Sequence, residues 1–341
     1  MSAGLYDVGG FSTVMEKLAG ALAKKGHDVT IGALFFKSPP SEGAYNVEKI
    51  PLGNILKLTR FLEKFDVIHN HHAITNYLAL ISRRPFIYHY HGAPASGKGF
   101  FHRISLLSSI KLTNHRIDAV IAVSKVACID FKQHFGLNKM HVIYNGVDTA
   151  IFKPKLEEKF RKGTPQFLFV GNLYRHKNVE ELIIAFKTVL KEHPKACLQV
   201  IGNGIMYESL KNFTAKLGLE NHVDLVGRVS PLNLPYYYAS CDVYVTASRW
   251  ELFGLPLLEA MACGKPIVAS SIPSHLELLT QSNAGETYPL TNVPSLYSKM
   301  MQTYEDRKNY ENKAISFAKE HDWLVVVDNL LKIYDNLVQL Q

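Results

Sequence analysis

Glu251 and Glu259 stand eight residues apart, with Leu252-Phe-Gly-Leu-Pro-Leu-Leu258 between them and Ala260-Met-Ala-Cys-Gly-Lys-Pro266 after them. Two carboxylates held close together can accept several hydrogen bonds from one polar ligand. Gly254 and Pro256 punctuate a turn, and proline is favoured where a helix begins because its missing N–H would be unpaired there. Leu257, Leu258, Ala260, Met261 and Ala262 predict a helix from Pro256, stopped by Gly264 ahead of Pro266. Glu251 is then a loop residue. Glu259 falls in the first helical turn, where the macrodipole favours a carboxylate. The unpaired N–H groups of that helix start suit the phosphate of a nucleotide. Val243, Val245, Phe253, Ile267 and Val268 flank the pair, and a glutamate set beside a core is usually paired or functional.

Other residues of chemical type lie at the ends of apolar runs. Gly9-Gly10 precede a helical stretch, and glycine lets backbone N–H groups approach a phosphate. Arg175 and Lys177 fall within Gly171-Asn-Leu-Tyr-Arg-His-Lys-Asn178, where they would meet an anion as a fork and a point charge. Gly202-Asn-Gly204 and Gly227-Arg228-Val229-Ser230 close two further runs, although most such glycines mark plain turns. His69, His71, His72, His89 and His91 crowd two strand ends. Packing or cleft-lining is one reading of them and a zinc site the other, with no Cys or carboxylate joining them at ligand spacing.

The elements that must position these residues alternate between strands and helices, which predicts α/β layers on parallel sheets. Apolar runs at Val29–Phe36, Val67–Ile68, Phe86–Tyr90, Ala119–Val123 and His141–Ile143 form a first series. A second runs through Phe167–Val170, Leu198–Ile201, Val223–Val226, Val243–Thr246 and Ile267–Ala269. Helical periodicity covers Thr13–Lys25, with Val14, Leu18, Ala21 and Leu22 on one face, and Asp322–Leu340 at the end. Pro154 and the charged run Lys155–Lys162 read as a linker. Met1–Tyr6 is either a whole first strand or the remainder of a longer one.

The 341 residues are 47% hydrophobic and 20% charged, as in a globular protein of about two domains. No stretch approaches the roughly 20 apolar residues of a membrane span, and no basic-then-apolar leader is visible. Cys128, Cys197, Cys241 and Cys263 lack Cys-x-x-Cys spacing, which argues against a disulfide framework and for a reducing cytoplasm. The net charge of +8 is uneven: residues 1–150 hold 17 Lys and Arg against 10 Asp and Glu, or +7. That asymmetry points to an anionic partner for the first half. Gly97–Arg116 is both basic and apolar, with Phe100, Ile104, Leu107 and Lys111 at helical spacing. Such a mixture reads as a core-facing helix with a basic outer face, or as one that docks peripherally on an anionic membrane. No nucleic-acid recognition motif is present.

With its flanks, Glu251-x7-Glu259 resembles the hallmark of retaining glycosyltransferases of family 4, and the likeness extends over nearly the whole chain. The resemblance implies the GT-B fold, two Rossmann-like domains facing across a cleft. An acceptor-binding domain would span 1–152 with the C-terminal helix of about 323–341, and a nucleotide-sugar-binding domain 153–322. It implies a metal-independent hexosyltransferase that uses a nucleotide-diphosphate sugar as donor substrate, without a cofactor, and a glycan or lipid-linked acceptor. The alternative is a non-catalytic nucleotide-sugar-binding subunit. By the same resemblance Glu259 holds the ribose hydroxyls, Glu251 lies near the sugar, and Lys177 clamps the diphosphate. Asn172 stands where the family has a second clamp residue, Arg, so Arg175 is its candidate substitute. Gly9 and Gly10 would face the diphosphate and acceptor, and Gly202 and Gly204 the nucleotide. The backbone at Arg228 and Val229 would read the base. Phe253, Gly254 and Leu255 complete the donor site. His91, followed by Gly92, would contact the sugar or acceptor, and Tyr144–Asp148 would mark the interdomain connection.

Overall fold

The computed structural model describes residues 10–34, 45–92, 108–136 and 139–340. The chain divides into two compact units, Met1–Asn145 with Trp323–Gln341, and Gly146–Asp322.

The first unit runs α1 (Gly10–Lys24), β1 (Thr30–Ala33), β2 (Asn46–Lys49), α2 (Ile55–Glu63), β3 (Ile68–Asn70), β4 (Phe86–Tyr90), β5 (Ala119–Ala122), α3 (Lys125–Phe135) and β6 (Met140–Val142). Strands β3-β4-β5-β6 form a parallel sheet in that order, and β1 pairs with β2 in a second parallel sheet. Every residue of β4 and β5 is buried, as expected of parallel strands whose two faces are both covered. The face predicted for α1 is buried at Val14, Leu18, Ala21 and Leu22. Ser124 caps α3 by accepting from the Ala127 N–H at 2.9 Å, and Gly136 ends it at a φ of 69°. Both are positions where those residue types satisfy otherwise orphaned backbone groups.

The second unit runs β7 (Gln166–Val170), α4 (Val179–Glu192), β8 (Cys197–Ile201), α5 (Tyr207–Lys216), β9 (Val223–Gly227), α6 (Leu234–Ser240), β10 (Val243–Thr246), α7 (Leu255–Ala262), β11 (Ile267–Ser270), α8 (Pro273–Ser282), β12 (Gly285–Tyr288), α9 (Val293–Glu305) and α10 (Arg307–Glu320). Its six parallel strands lie in the order β12-β11-β10-β7-β8-β9. Winding therefore goes one way from β7 and the other way from β10, the doubly wound Rossmann pattern with its reversal between those two strands. Phe167, Phe169, Leu182, Phe186, Leu198 and Val245 are among the buried side chains that close its core. The last helix, α11 (Trp323–Gln339), belongs to the first unit and packs against α1, where Lys25 Nζ meets Asp328 Oδ1 at 2.6 Å.

Three sequence expectations change. Asn46–Lys49 and Gly285–Tyr288 are strands although neither is an apolar run: each lies at a sheet margin and is only half covered. The charged run Lys155–Lys162 is not a free linker. Arg161 grips both carboxylate oxygens of Asp242 at 3.1 Å, and Lys162 pairs with Asp224 at 2.7 Å, so the run is fastened to the second unit. Leu324, expected on the apolar face of α11, is 40% exposed, because the buried stripe follows Trp323, Val326, Val327, Leu330 and Ile333. Phe100, Ile104 and Leu107 lie outside the described residues, as does Gly9. Among the described residues no helix is long and apolar enough to cross a membrane.

Candidate active site

In a doubly wound sheet the loops leaving the reversal point at the carboxyl ends of the strands diverge and open a ligand crevice. Here those loops follow β7 and β10, and they carry Lys177 and Glu251. Lys177 Nζ donates to Glu251 Oε1, with the two side chains only 16% and 19% exposed. Ser248 Oγ donates to the same carboxylate oxygen at 3.1 Å and lies 3.1 Å from Thr246 Oγ1. Ser270 Oγ, at the end of β11, donates to the Ser248 carbonyl at 2.5 Å. The loops are also fastened to each other. The Arg249 N–H donates to the His176 carbonyl at 2.7 Å, and its guanidinium to Asn178 Oδ1 at 3.1 Å. Burial pushes the Glu251 carboxyl up, but the Lys177 ammonium and the hydrogen bonds from Lys177 and Ser248 bring it below the usual range. The result is a fixed carboxylate with an ammonium beside it.

His275, on α8, adjoins this pair. It is wholly buried, its Nδ1 is 3.1 Å from the Ser270 carbonyl and 3.2 Å from Ser270 Oγ, and its Nε2 has no hydrogen-bond partner. Burial holds the imidazole down at about 4, against the upward pull of the Glu251 charge.

Helix α7 opens at Leu255, with Pro256 in its first turn and Gly254 as N-cap at a φ of 103°. Only glycine takes that conformation without strain. Glu259 is therefore in the second turn, not the first as expected from a start at Pro256, and the macrodipole acts on it less. A tyrosine fixes it instead: Tyr238 Oη, wholly buried on α6, donates to Glu259 Oε2 at 2.7 Å. Burial first, and then the Glu259 charge, keep that hydroxyl protonated well beyond the usual range. Phe253 is buried beneath the turn.

Gly202 and Gly204 prove to be packing positions. A Cβ on Gly202 would lie 1.9 Å from the Gly171 carbonyl oxygen, and one on Gly204 2.5 Å from the Leu173 carbonyl oxygen. These glycines let the loop after β8 press against the loop that carries Lys177. Arg175 shares a short helical turn with Lys177 and is exposed, as is Asn172. Arg228 and half-buried Val229 follow β9 at the far margin of the sheet. Gly10 opens α1. A concavity of about 460 Å³, lined by Arg161, Lys162, Lys195 and Asp224, lies at the opposite, amino end of the strands. Ligand sites of such sheets form at the carboxyl ends.

His91 belongs to the first unit. Period-two spacing puts His69 with His71, and His89 with His91, on one face of the neighbouring strands β3 and β4. The four rings stack with centroids 4.4–5.3 Å apart. His71 Nδ1 lies 3.0 Å from His91 Nε2. Burial holds His91 down at about 3 and lowers the other three as well.

Ser248, Tyr238 and His275 were not found from sequence. Tyr238 sits in a run of three tyrosines with no fixed spacing to Glu259, Ser248 lies in a loop, and His275 lies in a helix without a motif of its own.

Two parallel α/β units, the second with the loops of Lys177 and Glu251 at its topological reversal, fit a GT-B architecture. Residues 152–321 match the family Glycosyl transferases group 1, and residues 8–151 match Glycosyltransferase Family 4. An uncharacterized glycosyltransferase of Methanocaldococcus jannaschii is 30% identical over 314 residues, covering 80% of this chain and 79% of that protein. The phosphatidyl-myo-inositol mannosyltransferase of Propionibacterium freudenreichii is 27% identical over 96% of this chain and 91% of its own. HepE of Anabaena, solved with UDP and glucose, superposes at a TM-score of 0.81 with 22% identity and 98% of each chain covered. The chain belongs to the family 4, group 1 glycosyltransferases.

Proposed function

We propose that this glycosyltransferase is a retaining, metal-independent enzyme that moves a hexose from a nucleoside-diphosphate sugar to a hydroxyl of a glycan or lipid-linked acceptor. The observation that carries this reading is the Lys177–Glu251 pair at the reversal between β7 and β10, beside the amino end of α7. An ammonium has three donors. One is on Glu251, and the others are available to a diphosphate whose charge grows as the sugar leaves. Arg175 on the same turn adds a second cation, and the N–H groups at the start of α7 add partial positive charge. Glu259, oriented by Tyr238, accepts from the ribose diol. Glu251 lies toward the sugar, His91 contacts sugar or acceptor, and Gly9 and Gly10 contribute backbone amides. The departing phosphate takes the acceptor proton on the same face of the sugar.

A lipid-linked acceptor fits the +7 of residues 1–150 and the exposed Leu52, Ile55 and Leu56 beside Lys57 and Arg60. A mannosyltransferase of a phospholipid among the relatives supports it. The location that follows is cytoplasmic and peripheral at the inner membrane face.

Thermal shift with UDP-, GDP- and ADP-sugars identifies the base, since a ligand of the folded state alone raises its stability. Turnover of the matching radiolabelled sugar, with the anomeric configuration read by NMR, then tests the reaction. Glu259→Gln is expected to weaken nucleotide binding. An inverted product would overturn the retaining assignment, and binding without turnover would favour the binding-subunit reading.

A further inference from the structure

His69, His71 and His89 of the first unit have no part in the donor site as proposed, and their geometry is that of a ligand set. One ring nitrogen from each of His69, His71 and His89 lies within 4.8 Å of the other two. His69 Nε2 and His89 Nδ1 are already 3.2 Å apart. A tetrahedral zinc with bonds of about 2.0–2.1 Å sets its nitrogen ligands about 3.3 Å apart, so this edge is formed and side-chain rotation must bring in the third nitrogen. His89, whose Nδ1 forms this edge, is 3% exposed.

Outer contacts of the kind that orient metal-bound imidazoles are also present. Tyr334 Oη on α11 is 2.5 Å from His69 Nδ1, and His91 Nε2 is 3.0 Å from His71 Nδ1. Both contacts engage Nδ1, while His69 Nε2 faces His89 Nδ1.

We propose that His69, His71 and His89 bind one late first-row divalent metal ion, zinc foremost, within the first unit. Three imidazoles without a carboxylate select zinc, copper, nickel or cobalt over magnesium and calcium, which require oxygen ligands. Two ligands come from β3 and its end and the third from β4, and the pairing of those strands joins them.

The test uses the untagged full-length chain, freed of metal by chelator and desalted. Titration with ZnCl2, followed by equilibrium dialysis and thermal melting, is expected to give one zinc per chain and a melting temperature raised by several degrees. MgCl2 should give no such rise. CoCl2 should produce the visible absorption of a tetrahedral nitrogen-rich site. His69→Ala and His89→Ala should each weaken zinc binding at least tenfold, with His69→Gln as the substitute should truncation unfold the chain. Tyr334→Phe, which removes only the outer contact, should weaken it about tenfold. Failure of the wild type to retain zinc, equal shifts with magnesium, or zinc binding unchanged in the His69 variants would overturn the site.

Discussion

At the scale of single residues, the carboxylates of the candidate site are held in part by residues that carry no motif. Tyr238 donates to Glu259 from a wholly buried position. Tyr238→Phe keeps the ring and removes a hydrogen bond to a charged acceptor, worth about 1.5–3 kcal/mol. Donor affinity should fall about tenfold or more, with turnover of bound donor little changed. Calorimetric titration beside single-turnover kinetics separates the two, and a loss of turnover alone would mean that Glu259 is not a binding group. His275 gives a pH dependence. Its folded pKa of about 4 lies below the ordinary 6.5, so between those values the unfolded chain binds more protons and stability rises with pH. As pH falls from 6.5 toward 4, this residue alone should remove roughly 3 kcal/mol. Urea midpoints of the wild type and His275→Asn across that range check it, and equal acid slopes would show that another group governs the loss.

At the scale of elements, the glycines divide into those that pack and those that merely occur. Gly202 has a φ of 137°, and its absent side chain makes room for the Gly171 carbonyl. Gly202→Ala combines overpacking against backbone with a disfavoured dihedral, at a cost of about 3 kcal/mol or more. Because the displaced loop carries Lys177, donor binding should weaken in the same variant. Gly20 lies within α1, and no atom of the described residues comes within 4 Å of a Cβ placed there. Gly20→Ala should therefore stabilise by about 0.4–1 kcal/mol through the unfolded chain and the higher helix propensity of alanine. Denaturant unfolding of both variants should give shifts of opposite sign. A neutral or stabilising Gly202→Ala would remove the packing argument for the loop after β8.

At the scale of the whole molecule, the chemistry assigned to Lys177, Arg175 and the backbone amides requires no ion in the second unit. Transferase activity should survive dialysis against EDTA, even though that treatment empties the histidine triad of the first unit. Abolition by EDTA with recovery on adding a divalent ion would place a metal in the reaction. What the amino-acid sequence determined by itself was local in origin. Continuous apolar runs gave most buried strands, Gly264 ended α7, and the residues around Glu251 and Glu259 carried the family resemblance. Strands β2 and β12 escaped because marginal strands bury only part of their surface and need no apolar run. The start of α7 escaped by one residue, since a glycine at positive φ can cap a helix directly. Tertiary structure alone decided the pairings. Strand order brings the ends of β7 and β10 together and so joins Lys177 to Glu251 across 74 residues. It sets Tyr238 on Glu259 and His89 beside His69, because hydrogen bonds and ligand sets depend on distances in space that spacing along the chain does not encode.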